Sequence, residues 1–188
     1  MAVRTADDIL VGGGRVFIVD GTKKNELGWL SGEIKFEEQA NTNAVKESEG
    51  GTVLYITTDK EVHLTFSLLE ANLDTFKLLN PAYHAIGGTG DTTADGEGYA
   101  AGTYQGDTTY QIEFWHKKRS GDYRCLRVYK GKIAGNFTPL LINQDTENPI
   151  SVDVVGIADS TKDTDRNIYE LFDVAKSAVS TKVPNGGW

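Results

Sequence analysis

Cysteine is nearly absent from this sequence, and its scarcity limits how the chain can be stabilised. Cys125 is the single cysteine, so no disulfide can form within the chain, and this usage fits folding in a reducing compartment. The 188 residues are sufficient without one, because a domain of this size buries about 70% of the surface that its unfolded chain exposes. We therefore expect one domain, residues 1–188, that needs neither a disulfide nor a metal to fold.

Long hydrophobic runs are also missing. The longest apolar runs span four residues or fewer, far below the roughly 20 that a transmembrane helix requires. The N-terminal sequence has no apolar core of the kind that a secretory signal carries. We therefore expect no membrane partner and synthesis in the cytoplasm.

Positive charge is in short supply. The chain has 19 Lys and Arg against 27 Asp and Glu, a formal net charge of −8. Affinity for nucleic acid comes mostly from cationic neutralisation of phosphates, so this balance disfavours nucleic-acid binding. The excess of acids either maintains solubility or forms a surface that must not hold DNA, and composition alone does not choose between them.

The patterns that mark catalytic sites are missing as well. Cys125 lies in no local signature of a nucleophile, and the acids near Glu38 and Glu47 lie in polar sequence where nothing separates their pKa values. The three histidines lack the paired spacing of a zinc site; they are His63, His84 and His116. We therefore predict no enzyme activity, no cofactor and no metal site.

One acidic segment nevertheless imitates a calcium-binding loop. Asp159, Asp163, Asp165 and Glu170 fall at its first, fifth, seventh and twelfth positions, where an EF-hand loop places ligands. Thr164 stands where that loop needs glycine for its sharp turn. An acidic surface loop is the simpler interpretation, and calcium binding by this segment is left open.

What the sequence does contain is glycine and β-forming residues, with 21 Gly, eight Tyr and seven Phe. This composition favours a β-rich domain with many turns. Alternating apolar and polar residues predict strands, clearest at Val62, Leu64, Phe66 and Leu68. The predicted strands lie within 15–20, 30–38, 52–59, 61–70, 108–118, 123–135, 138–142 and 149–159, while 20–28 reads as a loop. A Ser-Gly-Asp turn within "KRSGD" predicts that the strands over 108–118 and 123–135 form a hairpin.

A change of period predicts one helix within residues 70–81. Leu73, Phe76 and Leu79 share a helical face, and Pro81 ends the helix. Residues 167–176 fit either a strand or a helix. A series of strands with one helix predicts a mainly β fold, a β-sandwich or open barrel with the short α-helix packed on the sheet.

Four segments stand outside this predicted core. The polar segment is the most unusual, since its few apolar side chains include Ala40, Ala44 and Val45. It has too little apolar surface to offset the backbone entropy lost on ordering, so we expect a long inter-strand loop that is mobile in the free monomer. The four segments are the N-terminal arm 1–14, the polar loop 38–52, the Gly-rich loop 87–106 and the C-terminal tail 175–188.

Three stretches follow a known pattern of strand order and loop position. They are "GGGRVFIVDG", then "GWLSGEIKFEEQ" with its polar excursion returning as "GGTVLYITTDKEVHLTFSLLEANLDTF", and finally "NPISVDVVGIADSTKDTDRNIYELFDV". In these stretches the chain resembles the bacteriophage tail tube proteins, also called major tail proteins. The resemblance spans about Gly12 to Val174, and the Gly-rich segment is longer than the family pattern.

The resemblance implies subunits that form hexameric rings, whose inner sheets join into a ring β-barrel. The rings would stack into the tube of the virion tail, assembled in the host bacterial cytoplasm, with tape-measure, tail terminator and, in contractile tails, sheath proteins as partners. DNA would pass down the channel without specific binding. Whether the tail contracts is left open.

The resemblance also suggests roles for particular residues. The polar loop would contact neighbouring subunits or rings, and outward-facing acids of the early strands would line the channel and repel phosphate. The contact residues are Glu38, Asn41, Asn43, Val45, Glu47 and Glu49, and the channel-facing acids are Glu33, Glu37 and Glu61.

A different class of function is a β-sandwich module that binds carbohydrate. Tyr104, Tyr110 and Trp115 could form a face on which sugar rings stack, next to the calcium-like loop at Asp159. Packing in the core and the hairpin also explains these aromatic residues.

Overall fold

Strands dominate the described part of the chain. The computed structural model describes residues 13–21, 23–47, 51–69, 73–79, 83–86, 98–101, 108–134 and 149–181. A mainly β fold with one short helix was predicted, and this prediction is confirmed. The elements are β1 Gly14–Asp20, β2 Lys23–Glu26, β3 Leu30–Glu47, β4 Gly51–Leu68, α1 Leu73–Leu79, β5 Tyr83–Ile86, β6 Gly98–Ala101, β7 Tyr110–Lys117, β8 Tyr123–Ala134, β9 Ile150–Ile157 and β10 Tyr169–Val174, followed by a 3-10 helix over Lys176–Thr181.

The main sheet is antiparallel and open, with eight strands and one branch. Its strand order is β2-β1-β7-β8-β9-β4-β3, and β10 pairs with β8 off this path. The branch forms because β8 is long: it pairs with β10 over Tyr123–Val128 and with β9 over Lys130–Ala134. Strands β5 and β6 form a separate two-stranded sheet.

One face of the main sheet carries the principal core. Along β4, Val62, Leu64, Phe66 and Leu68 are buried while the residues between them are half-buried, as the alternation predicted. Leu79 of α1 belongs to one buried cluster with Leu64, Phe66 and Leu68, which confirms that the helix packs on the sheet. The cluster also includes Val16, Ile18, Leu27, Ile112, Leu126, Ile150, Val152 and Val154.

The opposite face is apolar over only part of the sheet. A second buried cluster joins β1, β7, β8 and β10 through Phe17, Trp115, Cys125 and Val174, with Tyr123 beside them. The undecided segment 167–176 is therefore a strand over Tyr169–Val174, because a free edge of β8 was available to pair with it.

The predicted hairpin between β7 and β8 is confirmed. Lys118 donates its backbone N–H to the carbonyl of Asp122 at 2.7 Å, and Gly121 donates to Lys118 at 3.0 Å. Gly121 has a φ of 92°, a conformation that favours glycine.

Two boundaries differ from the sequence predictions. Lys23–Glu26 is a strand paired with β1 rather than part of a loop over 20–28, because a polar edge strand needs only backbone partners on one side. The two strands predicted over 52–59 and 61–70 are one continuous strand, β4.

The long polar loop over 38–52 was a wrong prediction for the residues that the structure describes. Strand β3 continues through Glu47 and β4 begins at Gly51, and the two pair from Gln39 opposite Glu61 to Glu47 opposite Gly51, with two register shifts. Backbone hydrogen bonds between strands need no apolar side chains, which explains how polar sequence supports this structure. Residues 48–50 lie outside the described residues, and mobility in the free monomer stays a prediction.

The other three unusual segments are described only in part. Residues 1–12, 87–97, 102–106 and 182–188 lie outside the described residues, as do 138–142. Within the predicted Gly-rich loop, Gly98–Ala101 forms β6 against β5. Within the predicted tail, Lys176–Thr181 forms the 3-10 helix.

Candidate functional site

A two-stranded ribbon projects from one end of the main sheet. Strand β9 leaves β4 at the pair Val62 and Gly156, and beyond it β3 and β4 pair only with each other among the described strands. We call residues 39–47 and 51–61 the projecting ribbon. At about 3.4 Å per residue, its first strand is about 30 Å long, so the ribbon reaches well away from the core.

Two irregularities interrupt the pairing of the ribbon. The register shifts between Asn41 and Thr42 and again between Val45 and Lys46, each time with one extra residue in β4. A bulge of this kind bends the strand and increases its local twist. Bulges are one of the devices that protect the edge of a sheet from pairing with other chains.

The base of the ribbon is fastened to β10 through Tyr169. Its hydroxyl donates to Glu38 Oε2 at 2.7 Å, and its ring meets Phe36 edge-on, with the ring centroids 5.0 Å apart. Lys60 places its Nζ 2.6 Å from Glu38 Oε1. Hydrogen bonds from Lys60 and then from Tyr169 lower the pKa of Glu38 below its ordinary value. We call these contacts of Glu38 with Lys60 and Tyr169 the brace, because they link the base of the ribbon to β10.

The predicted contact residues occupy different positions along this hairpin. Glu38 is engaged by the brace, whereas Asn41 and Asn43 lie exposed on the ribbon, opposite Asp59 and Ile56. The backbone of Glu47 pairs with Gly51, and Glu49 lies outside the described residues.

Val45 has an apolar partner that the sequence prediction missed. Val45 lies directly opposite Leu54, and the two side chains are 44% and 55% exposed. Directly opposite residues share one face and have Cβ atoms about 5 Å apart, so they form one small apolar surface near the far end of the ribbon. We call Val45 and Leu54 the tip patch. The apolar run of Val53 to Ile56 was the signal that could have found it.

The predicted channel-facing acids lie among basic groups. Glu37 pairs with His63, and Glu61 with Gln39, so both acids lie on the sheet face opposite the principal core. Lys35 Nζ is 2.8 Å from Glu37 Oε1, and this hydrogen bond raises the lysine pKa. Glu33 is exposed in the irregular stretch between Ser31 and Lys35.

His63 joins this polar face to β9. Its Nδ1 lies 3.3 Å from Asp153 Oδ1, and its Nε2 lies 3.6 Å from Glu61 Oε1. The other two predicted histidines lie elsewhere: His84 is in β5, and His116 is buried with its Nδ1 3.1 Å from the carbonyl oxygen of Gly13. The three are not brought together.

A buried carboxylate with four hydrogen-bond donors was not predicted from the sequence. Glu113 is fully buried in β7. Lys24 Nζ at 2.6 Å and Trp115 Nε1 at 2.9 Å donate to its Oε2, while Arg127 Nε at 2.9 Å and Gln111 Nε2 at 3.0 Å donate to its Oε1.

These four donors decide the ionisation of Glu113. Burial acts to raise its pKa, but the hydrogen bonds from Lys24 and Trp115 and the charges of Lys24 and Arg127 outweigh it, so the pKa is lowered. Arg127 also pairs with Glu170. The carboxylate therefore ties β2, β7 and β8 together and, through Arg127, connects them to β10.

The structure does not assemble the predicted sugar-stacking face. Trp115 is fully buried in the second cluster, Tyr110 is half-buried against the principal core, and Tyr104 lies outside the described residues. Cys125 is likewise buried, and burial raises the pKa of its thiol.

The calcium-like segment has internal partners for its acids. Asp159 Oδ1 accepts from the backbone N–H of Thr161 at 3.1 Å and from its hydroxyl at 2.8 Å, and Lys130 Nζ lies 3.2 Å away. The bond from the Thr161 backbone is the first cause of a lowered pKa at Asp159. Basic side chains also pair with two further acids, Asp163 with Arg166 and Glu170 with Arg127.

The fold defines the class of this protein as a mainly β protein built on one open antiparallel sheet. No protein-family model matches the chain, and no curated protein matches it either. Within the described ranges, no helix has the length and apolar character needed to cross a membrane. The resemblance to tail tube proteins therefore rests on strand pattern alone.

Proposed function

We propose that this chain is the structural subunit of a phage tail tube, self-assembling into stacked hexameric rings around a channel for viral DNA. Its place is the virion tail, after assembly in the bacterial cytoplasm. Its partners are further copies of itself and the tape-measure, terminator and, in a contractile tail, sheath proteins. It catalyses no reaction and uses no cofactor.

The projecting ribbon carries the proposal. It extends about 30 Å beyond the sheet at the strand rise of about 3.4 Å per residue, braced at its base and paired only with itself among the described strands. Its tip patch exposes two apolar side chains. A protein that functions alone gains little from such a projection, whereas a subunit that must reach a neighbour needs one.

The open sheet supports ring formation. Strands β2 and β3 end the main path of the sheet and β10 ends its branch. Strand β3 has 18 residues, and its outer side has no partner strand among the described residues. Unpaired edges take up another strand by β-addition. A continuous barrel built from several copies removes these edges, as closed barrels do.

The charge supports passage of DNA. The net charge of −8 opposes nucleic-acid binding, and Glu37 and Glu61 lie on a sheet face that is polar in this region. If that face lines the channel, DNA moves past without being held.

The carbohydrate-binding alternative loses its main support, because a fully buried Trp115 has no surface on which a sugar can stack. Glycan binding is therefore the outcome that separates the two functions, and the tube proposal expects none.

The proposal is tested by shortening the ribbon. Residues 42–58 are removed, and Asn41 is joined to Asp59 through an Asn-Gly turn, which favours hairpins. This design keeps the brace at Glu38. We expect the wild-type protein to form hollow tubes in negative-stain micrographs, and the shortened protein to stay folded but form none.

Leu171→Ser provides the matched control, since it removes an exposed leucine outside the ribbon; it is expected to form tubes. A wild-type protein that is monomeric at every concentration contradicts the proposal, and so does a shortened protein that builds normal tubes.

A further inference from the structure

The carboxylate of Glu113 contacts an amine and a carboxamide at the same time. Lys24 Nζ lies 2.6 Å from Glu113 Oε2, and Gln111 Nε2 donates to Glu113 Oε1 at 3.0 Å. Glu113 is fully buried, while the lysine side chain is 21% exposed and Gln111 is half-buried. A lysine amine acts as a nucleophile when a base lies beside it, so a nucleophile and a group that it can attack share one carboxylate.

The register of the sheet places these two side chains in one row. Val19 of β1 lies opposite Lys24 of β2 on one side and opposite Gln111 of β7 on the other. Residues directly opposite one another share a face of the sheet, so both side chains lie on the same face with Val19 between them. Two neighbouring strand spacings place the Cα atoms of Lys24 and Gln111 about 10 Å apart.

A covalent link between these side chains fits that separation. Consecutive Cα atoms, three bonds apart, lie about 3.8 Å from each other, so the nine bonds of an amide that joins Lys24 Nζ to Gln111 Cδ reach about 11 Å. The link can therefore form with both side chains nearly extended and with the three strands in place.

Further contacts hold the amine and the carboxylate in position. Lys24 Nζ lies over the ring of Trp115, 5.3 Å from its centroid. Trp115 Nε1 and Arg127 Nε each donate to one oxygen of Glu113 at 2.9 Å. Burial acts to raise the pKa of Glu113, but its donors outweigh burial and lower the pKa, so the carboxylate is ionised and able to accept a proton. Reactants held in this way gain a large effective concentration.

We propose that Lys24 and Gln111 become joined by an isopeptide bond within one chain, with Glu113 as the group that transfers the protons. A bond forms between Lys24 Nζ and Gln111 Cδ, and the bond from Cδ to Nε2 of the glutamine breaks. Two protons of the lysine ammonium pass to the departing nitrogen by way of Glu113, which releases one ammonium ion and regenerates the carboxylate. The reaction occurs once in each chain, acts on no external substrate and needs no assembly into a tube.

The bond ties a short edge strand to the interior of the sheet. Strand β2 has four residues and pairs only with β1 among the described strands, so the link to β7 fastens it across its neighbour. Glu113 keeps its structural role, because Arg127 still pairs with it and the new amide N–H replaces the ammonium as a donor. A link between distant residues also restricts the unfolded chain, as a disulfide does.

Mass spectrometry of the folded wild-type protein tests the inference. We expect an intact mass below the value of the sequence by one ammonia molecule, and a linked peptide that contains Lys24 and Gln111 after digestion. Recovery of Lys24 and Gln111 only in separate peptides overturns the inference. This holds even if the intact mass is lower, because asparagine also loses ammonia when it cyclises and gives no linked peptide.

Two lysine variants identify the nucleophile. Lys24→Arg keeps a positive charge for Glu113, but a guanidinium that stays protonated is no nucleophile, so we expect no linked peptide. Lys23→Arg changes the exposed neighbour in the same strand and is the matched control, which should be linked like the wild type. A Lys24→Arg protein that still loses ammonia from Gln111 into a linked peptide overturns the assignment.

Glu113→Gln tests the proton transfer. The linked fraction of its soluble protein should be at least tenfold below that of the wild type, and full linkage overturns the role of Glu113. The wild-type spectrum decides whether the bond forms, even if this variant does not fold. The linked fraction of the wild type should also be independent of protein concentration, whereas linkage that rises with concentration joins separate chains and overturns the inference.

Discussion

At the scale of single residues, Glu113 shows how one buried acid organises a sheet. An ionised carboxylate without partners is costly to bury, yet this one accepts four hydrogen bonds and is paired with Lys24 and Arg127. Removing one partner of a buried ion pair destabilises a protein more than replacing the whole pair by apolar residues, because the remaining charge is left without compensation. Glu113 is therefore a structural residue.

We expect Glu113→Gln to destabilise the fold. The amide has nearly the same shape but cannot compensate the charges of Lys24 and Arg127. Its NH₂ group, itself a donor, would also point at N–H groups that now donate to the carboxylate. The free energy of unfolding should fall by about 3 kcal/mol, measured by urea denaturation.

Glu33→Gln, at an exposed acid, serves as the control for this substitution and should remain within about 0.5 kcal/mol of wild type. Equal stability of the two variants argues against a structural role for the buried network.

At the scale of elements, the sequence predicted those strands whose side chains alternate between core and solvent. Val62 to Leu68 is the clearest case, and the β7–β8 hairpin is another, because its turn residues are as informative as its strands. The helix over Leu73–Leu79 was predicted because Leu73, Phe76 and Leu79 share one helical face.

Other elements could not be predicted from the local sequence pattern, because they become strands only by pairing with residues distant in the sequence. Lys23–Glu26 is entirely polar and becomes a strand only through its ladder with β1. Tyr169–Val174 fits two periods equally well, and the free edge of β8 decides between them. The projecting ribbon is the largest such element. Its polar sequence predicted a loop, yet its two strands pair with each other.

The candidate site was predictable to a similar degree. Asn41, Asn43 and Val45 were predicted to lie in a loop between two strands, whereas they lie within strand β3, and their contact with other subunits stays a prediction. The partnership of Val45 with Leu54 depends on register across two bulges, which no local pattern specifies. Burial of Trp115 could not be read from an alternation that places aromatic residues on both faces of β7.

Hydrogen exchange tests how firmly the ribbon is paired in the monomer. We expect amides of Ala40 to Glu47 to exchange at least 100-fold faster than those of Val62 to Leu68, because the described strands include no third partner for the ribbon and local opening costs least there. Assembly should reduce the difference. Equal protection of both segments in the monomer, unchanged on assembly, contradicts this expectation.

At the scale of the whole molecule, the open sheet edges, the braced ribbon and the excess of acidic residues are all consistent with the proposed assembly into a tube. Edge strands and exposed apolar patches are liabilities for a protein that stays alone. In the tube that we propose, they become contacts between copies, and the excess of acids governs what the channel repels.

Charge reversal on the polar face tests that last point. Glu37→Lys with Glu61→Lys changes the net charge from −8 to −8 + 4 = −4, and tubes of this variant are expected to retain DNA in a filter-binding assay at low salt, since lysines neutralise phosphates. Asp163→Lys with Asp165→Lys makes the same change in net charge on an exposed turn and serves as the matched control. If net charge alone mattered, the two doubles would bind DNA equally, which would remove Glu37 and Glu61 from the channel wall. Retention by the first double only, lost at high salt, supports a channel lined by this face.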